Sequence, residues 1–105
     1  MRADFSDLGR FTDVSLLVLL SLAGGQKHGY AMIEDIERFS GTTLEPGTLY
    51  GALMRLEKKG WIEPLPAEDR RHPYRLTVSG AAALRQQLAT LRQIVTTGVE
   101  RLALA

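Results

Sequence analysis

The sequence predicts a mainly α protein with one small β-hairpin (α+β), a winged helix-turn-helix followed by a long C-terminal helix. Three observations carry this. A short helix opens on Pro46 and stops at Gly60. Two short strand-like stretches flank a basic, proline-bounded segment containing Arg70, Arg71 and His72, and a leucine-rich run fills the C-terminal end. A helix that fits a DNA groove, with a basic loop beside it, is the outline of a winged helix. Residues 1–77 are expected to form a DNA-binding unit with an N-terminal arm, and residues 78–105 a dimerisation helix.

Taken in order, residues 1–11 space Phe5, Leu8 and Phe11 three apart, an amphipathic arm or helix whose stripe must be buried. Thr12 or Asp13 caps a first helix running to about Ala23, because either side-chain oxygen accepts an orphan backbone N–H. Gly24-Gly25 ends it. A second helix runs from His28-Gly29-Tyr30 to about Ser40, with Ile33, Ile36 and Phe39 as its core positions and Gly41 as its stop. Pro46 starts the third helix, since a missing N–H has no intrahelical partner to lose there. Leu49, Leu53 and Leu56 share one face with Ala52, while Gly47, Gly51, Met54, Arg55 and Lys58 take the other. Gly60 suits the left-handed residue that closes a helix. Loops this short pack three helices into a compact trihelical unit.

Trp61-Ile62-Glu63 and Tyr74-Arg75-Leu76 read as strands. The roughly ten residues between them hold Pro64, Pro66 and Pro73, which predicts a longer irregular loop rather than a tight two-residue turn. Thr77 or Ser79 caps the last helix. Within it Leu84, Leu88, Leu91, Val95 and Leu102 follow a heptad-like seam, broken at Gly98 with Val99 beside it.

Composition narrows the function. With 105 residues, 45% of them hydrophobic and 24% charged, the chain is one domain, or one domain with a helical extension. Its core is modest, so oligomerisation would ease burial. The absence of cysteine excludes disulfides and thiolate metal sites, and fits a reducing cytoplasm. Val14–Leu22 is strongly apolar but only about half a membrane span. It follows acidic and polar residues where a signal peptide would be basic. It is read as a buried helix of a soluble, cytoplasmic protein with no membrane partner. The net charge of +1 hides an asymmetry. Residues 1–45 carry four Lys/Arg against seven Asp/Glu, −3, and residues 46–105 carry nine against five, +4. The positive half holds the groove helix and the wing, as a phosphate-binding face requires.

Major-groove entry needs an outward face free of bulk and supplied with donors. Gly47 and Gly51 allow close approach, and Thr48, Tyr50, Arg55, Lys58 and Lys59 supply donors. The plain alternative is a solvated helix, against which stands the cost of Gly51 in mid-helix, up to about 1 kcal/mol relative to Ala. At the hairpin tip Arg70, Arg71 and His72 reach a phosphate or an adjacent minor groove. Glu68 and Asp69 leave internal pairing as the alternative, each exposed pair contributing only about 0–1 kcal/mol. Lys27-His28-Gly29-Tyr30 presents a cation and backbone N–H groups to a phosphate; alternatively His28 is a cap and Tyr30 a core aromatic. Trp61 reads as a residue of the wing base.

Catalytic constellations are poor. His28 and His72 lie in separate loops with no cysteine to join them at a metal, and no glycine-rich loop follows a strand. Glu34, Asp35 and Glu37 do not converge and read as a solvated helix face. No catalytic residue, metal or cofactor is expected. The leucine seam and the Phe5, Leu8, Phe11 stripe instead point to a homodimer, whose two-fold axis matches half-sites about one DNA turn apart.

Together these residues resemble the PadR family of bacterial winged-helix transcriptional regulators, in a short form with one C-terminal dimerisation helix. The resemblance rests on the leucine-rich residues 16–22, His28-Gly29-Tyr30, Gly47-Thr48-Leu49-Tyr50 with Leu53, Arg55-Leu56-Glu57, Gly60-Trp61-Ile62, and Tyr74-Arg75-Leu76-Thr77 with Gly80. It implies a homodimeric, repressor-like protein on a palindromic operator in double-stranded DNA, associated with the nucleoid when bound. It also implies that the C-terminal helix exchanges contacts with the partner's N-terminal helix. By the same resemblance Tyr50 and Arg55 belong to the recognition helix, Tyr30 to the helix before it, and Arg71 to the wing. Gly51 departs from the family, which often has proline after this tyrosine. Family effectors are small aromatic or hydrophobic molecules held near the dimer interface; no ligand-contact motif is matched here. The competing reading is a winged-helix module that docks another protein through the Gly47–Lys58 face without binding DNA.

Overall fold

A computed structural model describes residues 13–105 of the chain. The stripe Phe5, Leu8 and Phe11 lies outside the described residues. The elements are α1 (Val14–Ala23), α2 (Gly29–Ser40), α3 (Pro46–Lys58), β1 (Ile62–Pro64), β2 (Tyr74–Leu76) and α4 (Val78–Leu104). Asp13 caps α1, its Oδ1 accepting the Ser15 N–H at 2.7 Å. Leu16–Leu19 and Leu22 are all buried, so α1 is the central helix of the core rather than an amphipathic surface helix.

His28 caps α2, its Nδ1 accepting the Ala31 N–H at 3.4 Å, and Gly41 closes the helix at φ 74°. Met32 and Ile36 are buried, and Ile33 packs half-buried beside them. Phe39, expected in the core, is 47% exposed. It keeps nearly the azimuth of Met32, seven residues back, but sits in the last turn, where residues 37–40 are all exposed. The unbranched Met32 takes the inward position in its place.

In α3, Pro46 occupies the first helical position, and Leu49, Ala52, Leu53 and Leu56 are buried as the pattern requires. Gly60, at φ 77°, turns the chain into the wing. Leu44, Ile62 and Leu84 complete a core centred on Leu17, Val18, Met32, Ile36, Leu49, Leu53 and Leu56. Each such side chain contributes about 1.5–3 kcal/mol on burial.

The wing pairs Ile62 with Leu76, Glu63 with Arg75 and Pro64 with Tyr74, antiparallel, its first strand beginning one residue later than the sequence suggests. Tyr74 also bridges to Lys27, donating its N–H at 3.1 Å and accepting at 3.2 Å. Both polar groups of Tyr74 therefore face away from β1, and Pro64 opposite needs no N–H. The expected irregular loop is instead a tight turn. Glu68 and Arg71 exchange backbone hydrogen bonds of 2.9 and 2.8 Å, and Asp69 and Arg70 between them have φ 47° and 68°. Two positive φ values mark a type I′ hairpin turn. Leu65 donates to Pro73, so Pro66-Ala67 opposes His72 alone, and this two-against-one bulge accommodates Pro66.

Thr77 caps α4, and Leu84 is buried in the core with Leu91 packed half-buried against it. Beyond Leu91 the helix runs out from the body, and the long dimension of the molecule is 54 Å.

Candidate nucleic-acid interface

Burial of one face of α3 determines the other. With Leu49, Leu53 and Leu56 inward, Thr48, Tyr50, Met54, Arg55 and Lys58 stand exposed. The Arg55 guanidinium folds back over Gly51, where an added Cβ would meet Nη1 at 3.5 Å. That is ordinary contact, so nothing among the described residues forbids alanine at position 51.

Gly29 is buried, and Tyr50 crosses it; the Tyr50 hydroxyl lies 3.0 Å from the site of a Gly29 Cβ. His28, Gly29 and Tyr30 from the start of α2, Tyr50 from α3, and Asp69, Arg70, Arg71 and His72 from the wing tip line one cleft of about 310 Å³. Three stretches that sequence reasoning selected on separate grounds thus meet. The cleft presents the α2 N-terminus, whose orphan N–H groups and dipole favour an anion. Because His28 Nδ1 accepts a hydrogen bond, the proton of its neutral ring lies on Nε2 as a further donor. Close by, Tyr74 has its phenol pushed above the ordinary 10.0 by burial, then by Glu57 and Tyr50. It therefore stays neutral and adds no negative charge to the site.

Among the described residues, Glu68 and Asp69 form no ion pair with Arg70 or Arg71. The wing's ion pair is Arg75 with Glu63, across the strands. The tip arginines and His72 are all exposed.

Lys27 is placed differently from its neighbours. Its ammonium donates to the carbonyls of Ser21 and Gly25, the latter at 3.0 Å, and lies 4.0 Å from Asp35. It closes the C-terminus of α1, where a cation is favoured. Asp35 is not the solvated carboxylate expected from sequence. It accepts from the buried Ser21 hydroxyl at 2.7 Å and pairs with Arg38 at 3.6 Å. The available signal was Ser21 itself, a hydroxyl inside an apolar run that had to find a partner.

Trp61 packs half-buried at the wing base, with the Lys59 Nζ 4.7 Å from its ring centroid. On α4, Leu84 is spent in the core of its own chain. Leu88, Val95 and Leu102 are 41%, 62% and 77% exposed, Val99 beside the Gly98 gap is 62% exposed, and Ile94 and Leu104 add apolar surface that the seam did not include. Among the described residues there is no cluster of metal-ligating side chains, and no helix is long and apolar enough to cross a membrane.

Residues 17–86 match the profile of the transcriptional regulator PadR-like family. Transcriptional regulator Rv3488 of Mycobacterium tuberculosis is 34% identical over 84 residues, covering 77% of this chain and 78% of that protein. An uncharacterized 37.1 kDa protein in transposon TN4556 of Streptomyces fradiae is 42% identical over 85 residues, 81% of this chain. The chain spans only 25% of that relative's length. The crystal structure of a PadR family transcription regulator from hypervirulent Clostridium difficile R20291 superposes with a TM-score of 0.74 at 26% identity. The superposition covers 85% of this chain and 97% of that one.

Proposed function

The chain belongs to the PadR-like family of transcriptional regulators, and from that premise we propose that it binds duplex DNA as a homodimer and represses from a palindromic operator. The observation that carries this reading is the cleft where the start of α2, Tyr50 and the wing tip meet beside the exposed face of α3. In this proposal α3 enters the major groove. Thr48, Tyr50, Arg55 and Lys58 contact base edges and phosphates, and Gly51 permits close approach of the backbone. Arg70, Arg71 and His72 hold the flanking backbone or minor groove, while His28, Tyr30 and the α2 N–H groups take a phosphate. Lys27 acts from behind, closing α1 and bridging to the wing at Tyr74. Leu88, Leu91, Val95 and Leu102 pair across the two-fold axis with the arm residues Phe5, Leu8 and Phe11, and Leu84 anchors each helix in its own core.

The protein acts by occupying a promoter in the cytoplasm, not by catalysis, and a small aromatic or hydrophobic effector at the dimer interface releases it. A gel-shift on DNA from upstream of its own gene tests the proposal. Arg55→Ala is expected to cost about 1–3 kcal/mol and relax specificity at one base pair, and Arg71→Ala to weaken all sequences alike. Indifference to duplex DNA, with another protein captured on the α3 face, would replace this reading by the docking one.

A further inference from the structure

The end of α3 and the start of α4 meet in a dense joint. The Thr77 N–H donates to the Trp61 carbonyl at 3.0 Å. The Thr77 hydroxyl donates to the Gly60 carbonyl at 2.6 Å while accepting the Gly80 N–H at 3.0 Å. The Ser79 hydroxyl donates to the same Gly60 carbonyl at 3.0 Å. Gly80 is buried, and a Cβ there would sit 1.9 Å from the Trp61 carbonyl oxygen and 2.8 Å from its carbonyl carbon. These are backbone atoms, which no side-chain rotation can move aside. Glycine is a poor helix former, so its place in the first turn of α4 answers to this contact. Leu84, one turn further on and buried, keeps α4 from sliding off the joint.

We propose that this joint, Gly60-Trp61 against Thr77–Gly80, is a positioning element that sets the separation of the two recognition helices. The inference rests on the homodimer proposed above. α4 has 27 residues, a rod about 40 Å long at 1.5 Å per residue. Apart from Val78 in its first turn, its exposed large apolar side chains run from Leu88 to Leu104, while α3 is joined to its near end through Gly60-Trp61. The joint is therefore the pivot between the dimer contact and the groove helix. Half-sites one turn apart ask for a spacing of about 34–36 Å, and one base pair more or less changes it by about 3.4 Å. Room for a methyl at position 80 opens the joint by more than about one ångström, and the lever multiplies that to the scale of a base pair.

The chain has no cysteine, so single spin labels report on the intact homodimer by pulsed electron paramagnetic resonance. Met54→Cys, on the exposed face of α3, reads the separation of the recognition helices, and Gln93→Cys reads the pairing of α4. With the native joint the Met54→Cys label gives one narrow distance. Adding Gly80→Ala is expected to shift that distance by about 3 Å or broaden it severalfold, with the Gln93→Cys distance unchanged. Ser79→Ala, which removes one of two hydroxyls from Gly60 and leaves the cap intact, broadens the Met54→Cys distribution less. An unaltered Met54→Cys distribution in either variant that folds overturns the joint as a positioning element, as does an equal change at both labels. Absence of dipolar coupling at both labels in the native joint sinks the homodimer, and this inference with it.

Discussion

The trihelical unit with its wing packs a set of large apolar side chains away from water, whereas α4 beyond Leu91 holds its own out. Leu17, Met32, Ile36, Leu49, Leu53, Leu56 and Ile62 are at most 1% exposed, while Ile94, Val95, Val99, Leu102 and Leu104 are between 61% and 88% exposed. At about 25 cal/mol per Å² of apolar surface, the first set draws its stability from contacts within the chain and the second draws almost none. Most helical stability in proteins comes from packing one face. The long arm of α4 thus depends on whatever covers that face, which the proposal assigns to a second copy. In that proposal the unit that reads DNA and the unit that sets its spacing answer to different variables, one to intrachain packing and the other to protein concentration.

The contrast breaks first at its most buried and most exposed ends. Leu53→Ala is expected to cost about 2–5 kcal/mol in denaturant unfolding, through lost transfer energy and the cavity left behind. Val95→Asp places an unpaired charge at the proposed two-fold contact. It should weaken dimerisation by roughly 2–3 kcal/mol, about 30- to 150-fold, while changing the stability of the monomer by about 0.5 kcal/mol or less. Sedimentation equilibrium and concentration-dependent melting separate the two effects. If Val95→Asp unfolds the chain as Leu53→Ala does, the two regions are not independent.

A smaller effect sharpens the comparison inside α3, where one helix packs the core and, in the proposal, enters the groove. Gly51→Ala meets only the Arg55 guanidinium at ordinary contact distance, so it should stabilise the fold by up to about 1 kcal/mol. If the groove needs the bare backbone, DNA affinity falls in the same variant. A gain in both stability and affinity would make Gly51 an accident of sequence.

The difference between the regions also explains what the sequence made legible. α3 was readable because its cause is local: proline at the first position, a leucine face, and a glycine stop. The cleft residues were nameable, but not their meeting, which depends on Gly29 letting Tyr50 across. The wing tip escaped because type I′ turns ordinarily carry Asn-Gly or Asp-Gly, and Arg70 at positive φ costs about 1–2 kcal/mol. The exposure of Phe39 and the intrachain burial of Leu84 depend on where neighbouring helices end, which periodicity does not encode. The Ser21–Asp35–Lys27 network is not legible from α2 alone, because the partner of Asp35 is the Ser21 hydroxyl of α1, fourteen residues away.

The central claim, two copies of the α3–wing segment held at fixed spacing on DNA, is met most directly by an anisotropy titration. The probe is a labelled duplex from upstream of the gene, with the salt varied. For six to ten phosphate contacts the account predicts a saturable transition that loses about 10³–10⁵ in affinity between 50 and 200 mM salt. It also predicts a stoichiometry of two chains per duplex site. A binding curve that ignores salt, or one that saturates at a single chain, would contradict it.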